Sequence, residues 1–100
     1  MKKMSEAQVQ GTLKEIPDWS EVNGELQRTF QFANFVESMA FVNQVAQAAE
    51  ADQHHPDILV RYNKVTLTLS THDAGGITRK DFTLAKKCDG FVPKPAPGPA

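Results

Sequence analysis

Residues 57–71 read DILVRYNKVTLTLST. Val65, Leu67 and Leu69 point one way, and Thr66, Thr68 and Ser70 the other, because successive side chains of a strand alternate between faces. Tyr62, Asn63 and Lys64 lie near a turn, with the apolar run of residues 58–60 before it. The stretch is therefore a β-hairpin, with one face suited to a core and the other to water. An earlier stretch, DWSEVNGELQRTFQF, repeats the arrangement. Asn23-Gly24 is a two-residue hairpin signal. Beyond it Leu26, Phe30 and Phe32 share one face, and Gln27, Thr29 and Gln31 share the other.

Three helices fit around the two hairpins. Ser5, with Gln8 three residues on, has the form of a capping box, and Pro17 stops the helix that follows at about Ile16. Asn34 is an N-cap with Glu37 at the capping-box position. Behind it Phe35, Met39, Val42, Ala46 and Ala49 make one helical stripe. Pro56 disfavours helical geometry at His55, so this helix closes near Asp52 or Gln53. HDAGG is a loop, and Thr78 opens the last helix with Asp81 three residues on. Phe82, Ala85 and Cys88 form its inner stripe, and Gly90 is its C′ residue. The order helix, hairpin, helix, hairpin, helix predicts an α+β two-layer sandwich, a four-stranded antiparallel sheet with three helices on one face. One domain spans residues 1–92. The tail PKPAPGPA, residues 93–100, is expected to be extended and mobile.

Composition narrows the function. The chain has 100 residues, 40% of them hydrophobic, and a net charge of −1. That balance argues against nonspecific nucleic-acid binding, which requires a basic surface. No apolar run approaches the ~20 residues that span a bilayer. The start, MKKMSEAQVQ, lacks the apolar segment of a secretory signal. Cys88 is the only cysteine. No internal disulfide can form, and the cytoplasm is the expected compartment.

Chemistry concentrates in AEADQHHPD, residues 49–57. His54 and His55 stand side by side at a helix exit, and His72 ends the strand Val65–Thr71. In a two-layer sandwich these two ends can meet at one edge of the sheet. Imidazole exchanges protons near neutrality, so three of them with Asp81 and Glu50 suit acid–base work. Each has a plainer reading. A histidine past a helix C-terminus complements the helix dipole. Asp81 can serve only as the N3 carboxylate of a box opened by Thr78, and Glu50 as a solvated surface residue. Trp19, the phenylalanines and Cys88 read as core. Three histidines and a carboxylate can also hold zinc. The spacing disfavours it, since no His-x-x-x-His or Cys-x-x-Cys is present. No nucleophile elbow occurs.

Taken together, Glu50-x-x-x-His54-His55-Pro56, Tyr62, His72 and Asp81 resemble the signature of the pterin-4a-carbinolamine dehydratases. Nine residues separate Tyr62 from His72 and eight separate His72 from Asp81. Both intervals are similar to the family's, as are the phrases Tyr62-Asn63-Lys64-Val65 and Leu69-Ser70-Thr71-His72. The resemblance covers about residues 5–90. Some relatives carry aspartate where this chain has Gln53.

The resemblance implies an α+β sandwich and a dehydratase that needs no metal or organic cofactor. Such an enzyme converts 4a-hydroxytetrahydrobiopterin, left by an aromatic amino acid hydroxylase, to quinonoid dihydropterin and water. It implies catalytic roles for His54, His55, His72 and Asp81. His54 and His72 would act as acids near the C4a oxygen and His55 as base or ring anchor, with Asp81 orienting His72 or another imidazole. It implies pterin contacts for Glu50, Gln53, Ser70, Thr71 and Asp73. A homodimer or homotetramer is expected, with no nucleic acid or membrane as direct partner. Two alternatives follow from the same resemblance. One is a non-catalytic dimerisation module, since animal members partner a transcription factor. The other is a dehydratase-like protein of molybdopterin metabolism.

Overall fold

In the computed structural model, which describes residues 2–92, both hairpins turn where the sequence places them. The proline-rich stretch 93–100 lies outside the described residues. Strands β1 (Ser20–Val22) and β2 (Glu25–Gln31) are joined by Asn23 and Gly24, with φ of 52° and 78°. Two positive φ values in succession are those of a type I′ turn, whose twist matches the flanking strands. Strands β3 (Asp57–Arg61) and β4 (Lys64–Leu69) are joined through Tyr62 and Asn63. The Asn63 amide donates to the Phe32 carbonyl at 3.1 Å, and the Phe32 N–H donates to the Asn63 carbonyl at 2.8 Å. This ties the second turn to the end of the first hairpin. The sheet order is β1-β2-β4-β3, antiparallel throughout.

The register explains the two faces. Leu26 sits opposite Leu69 and Phe30 opposite Val65, all four fully buried or nearly so. On the other face Thr29 and Thr66 share a hydrogen bond of 2.8 Å, and the Gln27 amide donates to the Thr68 hydroxyl at 3.2 Å. The helices α1 (Glu6–Leu13), α2 (Phe35–Asp52) and α3 (Arg79–Asp89) all feed the first face. Val9, Phe41, Val45, Phe82, Leu84 and Cys88 join one core cluster with the inward residues of β2 and β4. The fold is the α+β sandwich read from the sequence.

Three local expectations need correction. Helix α1 ends at Leu13, not Ile16. Residues 12–19 descend through consecutive tight turns, closed by Ile16 N–H to Leu13 O and Trp19 N–H to Ile16 O at 3.0 Å each. These turns carry Ile16 and Trp19 into the core, which a continued helix would not. Helix α2 buries Ser38, Phe41, Val45 and Ala49, whereas Phe35 and Ala46 of the expected stripe are exposed. The helix bears two overlapping apolar stripes. The aromatic contacts choose between them, since the Phe41 ring lies 4.6 Å from that of Phe30 and 5.0 Å from that of Phe32. Gly90 is the C-cap of α3, with a right-handed φ of −72° instead of a left-handed one. The expected HDAGG loop also contains a single 3-10 turn, His72–Ala74.

Candidate active site

The exit of α2 sets the first imidazole. Gln53 takes the left-handed conformation, φ 50° and ψ 43°, and its N–H donates to the Glu50 carbonyl at 3.2 Å. The His54 N–H donates back to the Ala49 carbonyl at 3.0 Å. A left-handed residue after the last turn is a common way to satisfy final carbonyls and redirect the chain. Here it turns the His54 ring inward, to 9% exposure. Pro56 then holds the chain extended into β3.

His54 meets Asp81, which is fully buried in the first turn of α3. His54 Nε2 lies 2.5 Å from Asp81 Oδ1. The other carboxylate oxygen accepts from the Thr78 N–H at 2.8 Å and from the Thr71 hydroxyl at 2.9 Å. Asp81 therefore fills both roles open to it in the sequence. It closes a capping box with Thr78 and orients an imidazole. A buried carboxylate is costly unless its oxygens are occupied. Among the described residues, no buried side-chain nitrogen or oxygen lacks a partner.

His55 goes elsewhere. Its Nε2 pairs with the Glu50 carboxylate on the surface, where both side chains are more than half exposed. Neighbouring residues on an extended segment point to opposite sides. His72 opens the 3-10 turn and is exposed. It lines a hollow of about 760 Å³ with Ser70, Gly76, Glu6, Glu21 and Glu25. In that hollow the neighbouring Glu6 carboxyl, with burial, raises the pKa of Glu21 from its ordinary value. His54 opens instead on a cleft of about 290 Å³ with Asp52, Arg79, Lys80, Thr83 and Lys87. Asp81, expected to orient His72 or another imidazole, pairs with His54, and His72 stands apart.

The remaining site residues divide. Ser70 donates to the Glu25 carboxylate at 3.0 Å, which ties the end of β4 to β2. Thr71, a pterin contact by the resemblance, has its hydroxyl engaged by Asp81 and Thr78. Its backbone N–H and carbonyl are also used, by Gly76 and by Ala74. The sequence contained the signal for this, because Thr71 shares the parity of the buried Val65, Leu67 and Leu69. Asp73 and Gln53 are exposed. Among the described residues, no group of three histidine, cysteine or acidic side chains is gathered to hold a metal ion. No helix among them is long and apolar enough to cross a membrane.

Comparison with known proteins places these features in a family context. Residues 2–91 match the family described as "Pterin 4 alpha carbinolamine dehydratase". A provisionally named pterin-4-alpha-carbinolamine dehydratase of Chloroflexus aurantiacus is 55% identical over 89 residues, 89% of this chain and 96% of that one. A provisionally named relative from Picosynechococcus is 49% identical over 87 residues, 87% of this chain and 95% of that one. Among solved structures, a transcriptional coactivator/pterin dehydratase from Brucella melitensis superposes with a TM-score of 0.86 at 31% identity, covering 89% of this chain and 97% of that one. A pterin dehydratase-like protein, described as a RuBisCO assembly factor of the alpha-carboxysome, shares the fold with a TM-score of 0.64 at 23% identity, covering 74% and 88%.

Proposed function

The chain belongs to the pterin-4-alpha-carbinolamine dehydratase family, and from that membership we propose that it dehydrates 4a-hydroxytetrahydrobiopterin to quinonoid dihydropterin. The observation that carries the proposal beyond membership is the buried His54–Asp81 pair. An imidazole held by a carboxylate beside a cleft is a proton-transfer device with one nitrogen anchored and the other available.

The reaction has two demands. The C4a–O bond must break with its electron pair leaving on oxygen, and a proton must be added there so that water departs. The N5 proton must be removed, so that the N5 electrons form the C4a=N5 bond. With Nε2–H anchored on Asp81, His54 acts as the acid in its imidazolium form, giving the second proton, on Nδ1, to the C4a oxygen, to which we assign it. The neutral Nε2–H ring left behind regains a proton at Nδ1 from solvent before the next turnover. His55, on the opposite side of the extended segment and paired with Glu50, is assigned to the N5 proton or to holding the ring. His72 is assigned to the second side of the pterin, with Gln53 and Asp73 as exposed contacts. That side is the hollow of His72 and Ser70, separate from the cleft of His54, so one pterin has to reach from the one to the other.

Stopped-flow dehydration of freshly generated 4a-hydroxytetrahydropterin tests the reading. The wild type should accelerate the step, and His54→Ala should lose about 10²–10⁴-fold of that acceleration. A folded wild type with no acceleration over buffer would overturn the assignment.

The active form is proposed to be a homodimer or a larger homo-oligomer. Supporting this, β3 is an edge strand bonded on one side only to β4, with Leu59 55% exposed and Ile58 37% exposed. Such an edge is a template for pairing with a second strand.

A further inference from the structure

The hydroxyls behind Asp81 do more than cap a helix. Thr71 Oγ1 lies 2.9 Å from Asp81 Oδ2 and 2.7 Å from Thr78 Oγ1. Thr78 Oγ1 also accepts the Lys80 N–H at 3.2 Å. A threonine hydroxyl has one proton. If Asp81 is ionised it can only accept, so the Thr71 proton points at the carboxylate. The proton between the two threonines must then come from Thr78. The direction of the whole chain follows: Thr78 O–H donates to Thr71, Thr71 O–H donates to Asp81, and Asp81 accepts from His54 Nε2–H.

Resting on the dehydratase reading, we infer that Thr71 and Thr78 are positioning residues, a hydroxyl relay that fixes His54 as the Nε2–H tautomer with Nδ1 turned to substrate. Neither threonine touches the pterin through its side chain. They act through Asp81, filling its second oxygen so that the first is reserved for one imidazole nitrogen. Hydrogen bonds in such a chain polarise one another in the same direction. It joins the end of β4, the start of α3 and the exit of α2, which also meet through the core and through Lys87 Nζ to Asp52 at 2.8 Å. The relay thus adds a polar tie between the His pair and the strand end that carries Ser70 and His72.

The arrangement accounts for a detail that capping alone leaves open. A capping box requires a Thr78 hydroxyl and an Asp81 carboxylate, and both are satisfied by α3's own backbone. It does not require a second hydroxyl from β4. Thr71 is surplus to the helix, yet both its side-chain and backbone groups are fixed.

The test replaces Thr71 by valine, which keeps the shape and removes the hydroxyl, and by serine, which restores it. Thr71→Ala and Thr78→Ser serve as companions should the valine variant misfold. Two readouts are used on each. The first is long-range nitrogen–proton NMR of the His54 ring in the absence of substrate. With the ring neutral, the wild type and Thr71→Ser should show bare Nδ1 and protonated Nε2, and Thr71→Val a mixture of tautomers. The second is steady-state dehydration. Thr71→Val should lower kcat by about tenfold or more with KM within about twofold, as expected for misplacement of a reacting group, and Thr71→Ser should recover it. A Thr71→Val or Thr71→Ala protein with an unchanged His54 tautomer overturns the relay, whatever the kinetics. A wild type inactive on the pterin whose tautomer still shifts in Thr71→Val retains the relay and overturns the dehydratase reading alone.

Discussion

At the scale of single residues, Cys88 shows how burial alone sets chemistry. The thiol is wholly enclosed in the core, and desolvation, with a smaller contribution from the Asp89 carboxylate, pushes its pKa up to about 12 from an ordinary 9.0. The folded state thus keeps a proton that the unfolded chain gives up. For a group raised on folding, the stability it contributes is complete below the unfolded value and is lost as pH rises towards the folded one. Between pH about 9 and 12 the wild type should therefore lose stability faster than Cys88→Ala. Urea unfolding at stepped pH measures this, and a gap between the two proteins that stays constant through that range would contradict it. His54 illustrates the opposite limit of legibility. The sequence identifies a His pair and a capping carboxylate, but which imidazole reaches Asp81 depends on the left-handed turn at Gln53. Asparagine and glycine favour that conformation, and glutamine gives no such signal.

At the scale of elements, the caps were legible and the faces only partly so. Ser5 with Gln8 and Thr78 with Asp81 form the boxes their spacing indicates. Asn23-Gly24 forms its turn because the two residues tolerate positive φ. The apolar stripe from Phe35 to Ala49 misses the phase of α2 because the buried face includes Ser38, a polar residue no apolar stripe contains. Asp89 at the end of α3 was equally silent. A carboxylate there opposes the helix dipole. It is retained because its Oδ1 accepts from Trp19 Nε1 at 2.8 Å and from Arg28 at 2.6 Å, clasping α3 to the sheet. The same Arg28 guanidinium stacks 4.1 Å above the Phe30 ring, which explains a charged residue among the inward positions of β2. Asp89→Ala takes the acceptor from the Trp19 indole N–H and leaves Arg28 only its longer pairing with Asp18 at 3.8 Å, and should cost about 1–3 kcal/mol of stability. Thermal or urea unfolding reads the loss, and a variant as stable as wild type would show the clasp to be dispensable.

At the scale of the whole molecule, the sheet is covered on one face; on the other, Thr29, Thr66, Gln27 and Thr68 are cross-bonded and Leu59, opposite Thr66 on the edge strand, is the exposed apolar exception. That face suits water better than an apolar partner. The unfinished part is the edge at β3. Pairing of β3 with its copy would continue the antiparallel sheet without burying the threonine face. Leu59→Lys should then shift the protein towards monomer in multi-angle light scattering while leaving its circular dichroism unchanged. A wild type that is monomeric at high concentration would dismiss the edge as an interface. The alternation that revealed the hairpins could not reveal this, since strand order is set by how β4 inserts between β2 and β3 and not by either hairpin alone.

The enclosure of Cys88 has a practical corollary. A chain whose only sulfhydryl is sealed inside needs no cysteine-free background for spectroscopy. One cysteine introduced at a solvent position, such as Gln47, would accept a maleimide dye in the native protein while Cys88 stays dark. Two dyes on two such copies would turn assembly at the sheet edge into an energy-transfer signal, readable in a cuvette and in real time.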